Sequence, residues 1–153
     1  MILEIGDEAP EFKLLTDEGT PVKLSDFRGQ RVLLFFYPKA DTPGCTKQAC
    51  GFRDNFSAID GAGATLFGVS PDPVSELNRW RKKENFQYNL LSDPEHEVAD
   101  LYGVWGEKKM FGKSYEGIIR SHFLIDAKGL LEDIQYKVSP QKSIDEALRQ
   151  ISS

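Results

Sequence analysis

The chain has 153 residues, 40% of them hydrophobic and 28% charged, which suits one soluble domain with a sizeable core. A net charge of −5 excludes a general binder of nucleic acid or anionic membrane. No apolar run approaches the roughly 20 residues of a membrane span. The start, Met1 to Asp7, lacks a basic segment and a long apolar run, so it does not read as a signal peptide, and the expected location is the cytoplasm. Two cysteines are too few for a disulfide scaffold; in a reducing compartment any pairing is transient and catalytic rather than structural.

Residues 12–15 and 21–24 flank the turn cluster Thr16-Asp17-Glu18-Gly19 and predict an N-terminal β-ribbon. Ser25-Asp26-Phe27 reads as a helical turn stopped by Gly29. Arg31–Phe36 is apolar almost throughout and predicts a strand buried on both faces. A helix is expected over 45–59, a second buried strand over 65–70, and a helix over 75–85 after Asp72-Pro73. A short strand over 89–91 and a helix opened by Ser92-Asp93-Pro94 follow. Residues 103–117 read as a loop. Residues 121–125 and 131–136 read as a hairpin, and 143–151 as a last helix. Buried strands alternating with helices predict a three-layer α/β domain over 1–153, its sheet mostly parallel.

The chemistry gathers in Tyr37-Pro38-Lys39-Ala40-Asp41-Thr42-Pro43-Gly44-Cys45-Thr46-Lys47-Gln48-Ala49-Cys50, which holds both cysteines. Pro38, Pro43 and Gly44 end the strand and stiffen the loop. Cys45 then falls at a helix start, where unpaired N–H groups and the helix dipole stabilise an anion. A thiol there is either an activated nucleophile or a small buried apolar residue. Five positions separate Cys45 from Cys50. On an ideal helix that puts the Cα atoms roughly 8–9 Å apart with side chains rotated by about 140°, whereas a disulfide needs about 7 Å or less. The two can bond only if the first turns unwind.

Pro38-x-x-x-Thr42-x-x-Cys45 matches the active-site signature of the peroxiredoxins. With a second cysteine at Cys50, the run resembles the peroxiredoxin Q group, also called bacterioferritin comigratory proteins. Gly6-Asp7, Ala9-Pro10, Phe12, Gly68-Val69-Ser70 and Arg120-Ser121-His122-Phe123-Leu124-Ile125-Asp126 extend the resemblance over nearly the whole chain. It implies a thioredoxin-like fold with a central mixed sheet. It also implies an antioxidant peroxidase for hydrogen peroxide and organic hydroperoxides, without metal, haem or flavin. Cys45 would attack the peroxide and become a sulfenic acid. Arg120 would favour the thiolate and hold a peroxide oxygen. Thr42 would hydrogen-bond the sulfur or the peroxide, Pro38 would shield the sulfur, and the N–H groups of Gly44 and Cys45 would complete the anion site. Cys50 would resolve the sulfenic acid as a disulfide, and thioredoxin or a glutaredoxin-like protein would reduce it. The resemblance favours a monomer.

One departure stands out, since the group usually has Thr or Ser where His122 stands. On a strand Arg120, His122 and Leu124 share a face, so His122 either tunes the arginine or serves as a structural hydrogen-bonder. His96 reads as a helix-surface residue, Lys39 and Asp41 as solvated, and Tyr37 and Trp105 as packing around the pocket. Three rival functions remain. A thiol–disulfide oxidoreductase normally has Cys-x-x-Cys, but here four residues intervene. A redox sensor would share the chemistry without turnover. A metal module would need cysteine and histidine spacings this chain lacks.

Overall fold

The computed structural model describes residues 2–152; Met1 and Ser153, the ends of the expected domain, lie outside the described residues. Arg31–Phe36 is strand β3. Before it come β1 (Lys13–Thr16), β2 (Pro21–Lys23) and a 3-10 turn at Leu24–Phe27. After it come α1 (Pro43–Asp54), α2 (Phe56–Gly61), β4 (Ala64–Ser70), α3 (Val74–Glu84), β5 (Asn89–Ser92) and α4 (Glu97–Leu101). The chain continues with β6 (Trp105–Met110), β7 (Lys113–Ile118), β8 (Ser121–Ile125), β9 (Leu131–Gln135) and α5 (Pro140–Ile151). The main sheet has seven strands in the order β2-β1-β5-β4-β3-β8-β9. β3, β4 and β5 are parallel, while β8, β9 and the N-terminal ribbon run antiparallel to their neighbours. The ribbon is no separate unit: Leu15 and Thr16 pair with Ser92 and Leu91.

The alternation of side chains along β3 feeds two cores. Leu33 and Phe35 point toward α1, α2, α3 and α5, meeting Phe52, Leu77, Trp80 and Ile144. Val32, Leu34 and Phe36 point the other way, against Phe12, Val98, Tyr102 and Ile118. A strand apolar at consecutive positions is what such a doubly covered sheet requires.

Two expectations are corrected. The helix over 45–59 is two helices. Asn55 leaves helical geometry (φ −113°, ψ 16°), and its Nδ2 donates to the Gly51 carbonyl at 2.8 Å. A short amide side chain thus competes with the backbone ladder and ends α1. The helix also starts earlier, with extended Thr42 before it and Pro43 in its first turn, where a missing N–H costs nothing. The loop over 103–117 is a β-hairpin. β6 and β7 pair from Trp105↔Ile118 to Met110↔Lys113, around Phe111 and Gly112, both at positive φ. Two consecutive left-handed residues suit the tight turn joining twisted strands. The hairpin stands apart from the main sheet, and most of β7 is exposed, so no apolar alternation marks it.

α1 and α5 pack closely through Gly51. A Cβ there would lie 2.0 Å from Ile144 Cδ1. Gly51→Ala therefore sets better helix propensity against overpacking, worth about 1 kcal/mol and about 1–3 kcal/mol respectively. The expected outcome in urea denaturation is a net loss of stability, partly recovered by Ile144→Val in the same chain. A Gly51→Ala protein more stable than its parent would show that this contact does not set the helix spacing.

Candidate active site

The loop from Tyr37 to Thr42 is held at several points. Tyr37 is fully buried between Phe35 and Trp80, with ring centroids 5.6 and 5.3 Å away. Asp72, two residues past β4, accepts from the Ala40 N–H and from Ser70 Oγ, both at 2.7 Å. Asp41 adopts positive φ and pairs with Lys83 at 3.0 Å, so it is not merely solvated. Thr42 donates its hydroxyl to the Lys39 carbonyl at 2.8 Å. That bond uses the only hydroxyl proton, leaving the oxygen's lone pairs as acceptors. Pro38 sits half-buried on the same loop.

Cys45 lies in the first turn of α1 and is 1% exposed. Its N–H and that of Gly44 have no acceptor within the helix, because the first i→i−4 bond is Thr46 N–H to the Thr42 carbonyl. Arg120 precedes β8, and its backbone carbonyl is tied to the Val138 N–H at 2.9 Å. Its Nη2 lies 3.4 Å from Cys45 Sγ, and its Nη1 donates to Gln48 Oε1 at 2.7 Å. A Cβ on Gly44 would sit 3.1 Å from Nη2, so glycine lets the helix start approach the guanidinium. Beside Arg120 opens a cavity of about 770 Å³, lined also by Lys108, Lys109, Ile119, Tyr136 and Val138. Lys108 donates to the Ile118 carbonyl at 2.8 Å; burial, and then the Arg120 charge, hold its ammonium below the ordinary lysine range.

Cys50 is half-buried further along α1, its Sγ 3.7 Å from Glu84 Oε1. Burial pushes its thiol up, Arg53 pulls it back in part, and Glu84 raises it further. Both cysteines are free thiols on an unbroken helix.

Sequence reasoning singled out Cys45, Gly44 and Arg120, and these three meet. The Thr42 hydroxyl turns to the loop backbone. Trp105 is not part of the cavity; it stacks on His96 with centroids 3.8 Å apart and planes 3° apart. Gln48, Asp72, Lys108 and Ser143 were missed. Gln48 alone carried a signal, three positions from Cys45 on one helix face.

His122 does not touch Arg120. It is fully buried, its Nδ1 2.7 Å from Ser143 Oγ, and burial pushes its imidazole down to about 4. An unfolded histidine titrates near 6.5. The neutral ring therefore contributes stability that is complete above about pH 6.5 and is lost as pH falls towards 4, on the order of 3 kcal/mol. Denaturation of the parent and His122→Gln at neutral and acid pH checks this. The parent should lose more stability on acidification, and equal slopes would contradict it.

Fold and site together define a thiol-based protein of the thioredoxin-like class, with a cysteine at a helix start beside an arginine. The AhpC/TSA family matches residues 5–134. Escherichia coli peroxiredoxin Bcp is 52% identical over 132 residues, 86% of this chain and 85% of that protein. The crystal structure of peroxidoxin BcpB from Mycobacterium tuberculosis is similar at a TM-score of 0.86 and 36% identity, covering 98% of this chain and 97% of that one. Structures of the Xanthomonas campestris bacterioferritin comigratory protein, concerned with its alkyl peroxide reduction activity, reach 0.87 at 32% identity, covering 92% and 90%. The chain belongs to the AhpC/TSA family, in its peroxiredoxin Q and bacterioferritin comigratory protein group.

Proposed function

We propose that the protein is a two-cysteine peroxidase in which Cys45 attacks hydroperoxides and Cys50 resolves the product. The observation that carries this reading is Cys45 Sγ at the start of α1, 3.4 Å from an arginine that is itself braced by Gln48. The permanently charged guanidinium favours the thiolate. In the first step the thiolate attacks one peroxide oxygen. An S–O bond forms, the O–O bond breaks, and the departing oxygen leaves as water or an alcohol after taking a proton. Arg120 and the N–H groups of Gly44 and Cys45 lie where negative charge develops on the oxygens. Thr42 Oγ1 accepts the peroxide O–H, and Pro38 keeps bulk water from the sulfur.

In the second step the Cys50 thiolate attacks the Cys45 sulfur, an S–S bond forms, and the sulfenic oxygen leaves as water. A dithiol partner, thioredoxin or a glutaredoxin-like protein, returns the disulfide to two thiols. The cavity beside Arg120 has room for organic hydroperoxides as well as hydrogen peroxide. We place the cycle in the cytoplasm, where thiols are kept reduced, and in a monomer, since one helix of one chain carries both cysteines. An oxidoreductase of the Cys-x-x-Cys type is disfavoured because its sulfurs meet with the helix intact.

Peptide mass spectrometry after one equivalent of hydrogen peroxide tests the assignment. The parent should lose two hydrogens and show a Cys45–Cys50 link. Cys50→Ser should stop as a sulfenic acid at Cys45, and Cys45→Ser should consume no peroxide. A parent that stops at sulfenic acid would remove Cys50 from the cycle, and an inert Cys45 would end the peroxidase reading.

A further inference from the structure

The inference here rests on the peroxidase reading of Cys45. Gln48 follows Cys45 by three residues on α1 and is fully buried. Its amide links the Arg120 guanidinium to α5. Oε1 accepts from Arg120 Nη1 at 2.7 Å, and Nε2 donates to Ser143 Oγ at 2.9 Å. Ser143 is on α5, and its Oγ lies 2.7 Å from Nδ1 of His122 on β8.

The orientation of the Gln48 amide is forced. Arginine only donates, so Gln48 must turn its oxygen to Arg120 and its nitrogen to Ser143. Ser143 Oγ accepts from that nitrogen, and its second bond, to His122 Nδ1, takes the direction that the imidazole tautomer sets. The other ring nitrogen of His122 is Nε2. That nitrogen faces Asp133 Oδ2 of β9 at 4.0 Å and has no hydrogen-bond partner among the described residues. The Phe52 ring covers the imidazole from α1, and Glu146 on α5 is the other charge acting on it.

We propose that Ser143 and His122 are positioning residues for the peroxide reaction: they lock the Gln48 amide, and the locked amide holds the Arg120 guanidinium against the Cys45 sulfur. A reversed amide would set its N–H groups against those of Arg120 and push the guanidinium off the sulfur. The lock also belongs to one redox state. Gln48 sits between the two cysteines, so unwinding that stretch takes its amide from Arg120 and Ser143 together.

The test uses the Cys50→Ser protein, which isolates the first step, and measures the second-order rate of Cys45 oxidation by hydrogen peroxide. Adding Ser143→Ala should slow it about tenfold, and Gln48→Met at least as much. The two together should be no slower than Gln48→Met alone, because both break one chain. Ser143→Thr, which keeps the hydroxyl, should restore most of the rate. His122→Phe, a second entry to the same lock from another strand, should slow the reaction as Ser143→Ala does. Parent-like rates for Ser143→Ala and His122→Phe, or losses that multiply in the double variant, would overturn the lock while leaving the peroxidase reading intact. A Cys50→Ser parent whose Cys45 does not react would overturn both.

Discussion

The constraint that governs this protein is that the helix which builds the anion site around Cys45 also keeps Cys45 and Cys50 too far apart to bond. While α1 is a helix, Cys45 has unpaired N–H groups beneath it and Arg120 at 3.4 Å. The same helix puts Cys50 roughly 8–9 Å away along the backbone and turned by about 140°. It faces Glu84, not the reacting sulfur. In the proposed cycle, chemistry on the peroxide needs the helix folded, and resolution needs its first turns open.

The packing around α1 suits that demand. Its opening residues are lightly held: Pro43 and Lys47 are exposed, and Gly44 and Thr46 are half-buried. The inner face is tied by Gln48, by Ala49, whose carbonyl accepts from Tyr88 Oη at 2.8 Å, and by the Cys50 contact with Glu84. Beyond these, Phe52 is buried against Phe35 with centroids 4.8 Å apart, which fixes the second half of the helix in the core. Gly51 lies between these two stretches, and its missing side chain lets Ile144 of α5 pack against the helix. Were the first half to let go, Arg120 would lose its brace at Gln48, and the anion site would be dismantled along with the helix.

Much of this was legible in the sequence. The apolar run Val32–Phe36, followed by two prolines and a glycine, specified a buried strand and a stiff loop before a helix start. The spacing of the cysteines specified the conflict between helix and disulfide. The pairing of Cys45 with Arg120 came only from the family motif, because no local pattern ties residues 75 positions apart. The β6–β7 hairpin was invisible: most of β7 is exposed, so no apolar alternation marks it, and its turn is the uncommon pair Phe111-Gly112. The break at Asn55 was hidden because apolar residues continue past it into α2. Ser143 looks like an ordinary polar residue, and only the packing of α5 across α1 reveals that it joins Gln48 and His122 in one chain.

Hydrogen exchange of α1 in both redox states tests the central claim most directly. In the reduced protein, amides from Thr46 to Asp54 should be protected. In the protein carrying a Cys45–Cys50 link, protection should vanish from Thr46 to Cys50 and persist from Phe52 onward. A linked protein whose Thr46–Cys50 amides exchange as slowly as the reduced form's would contradict the account, since the disulfide would then have formed across an intact helix.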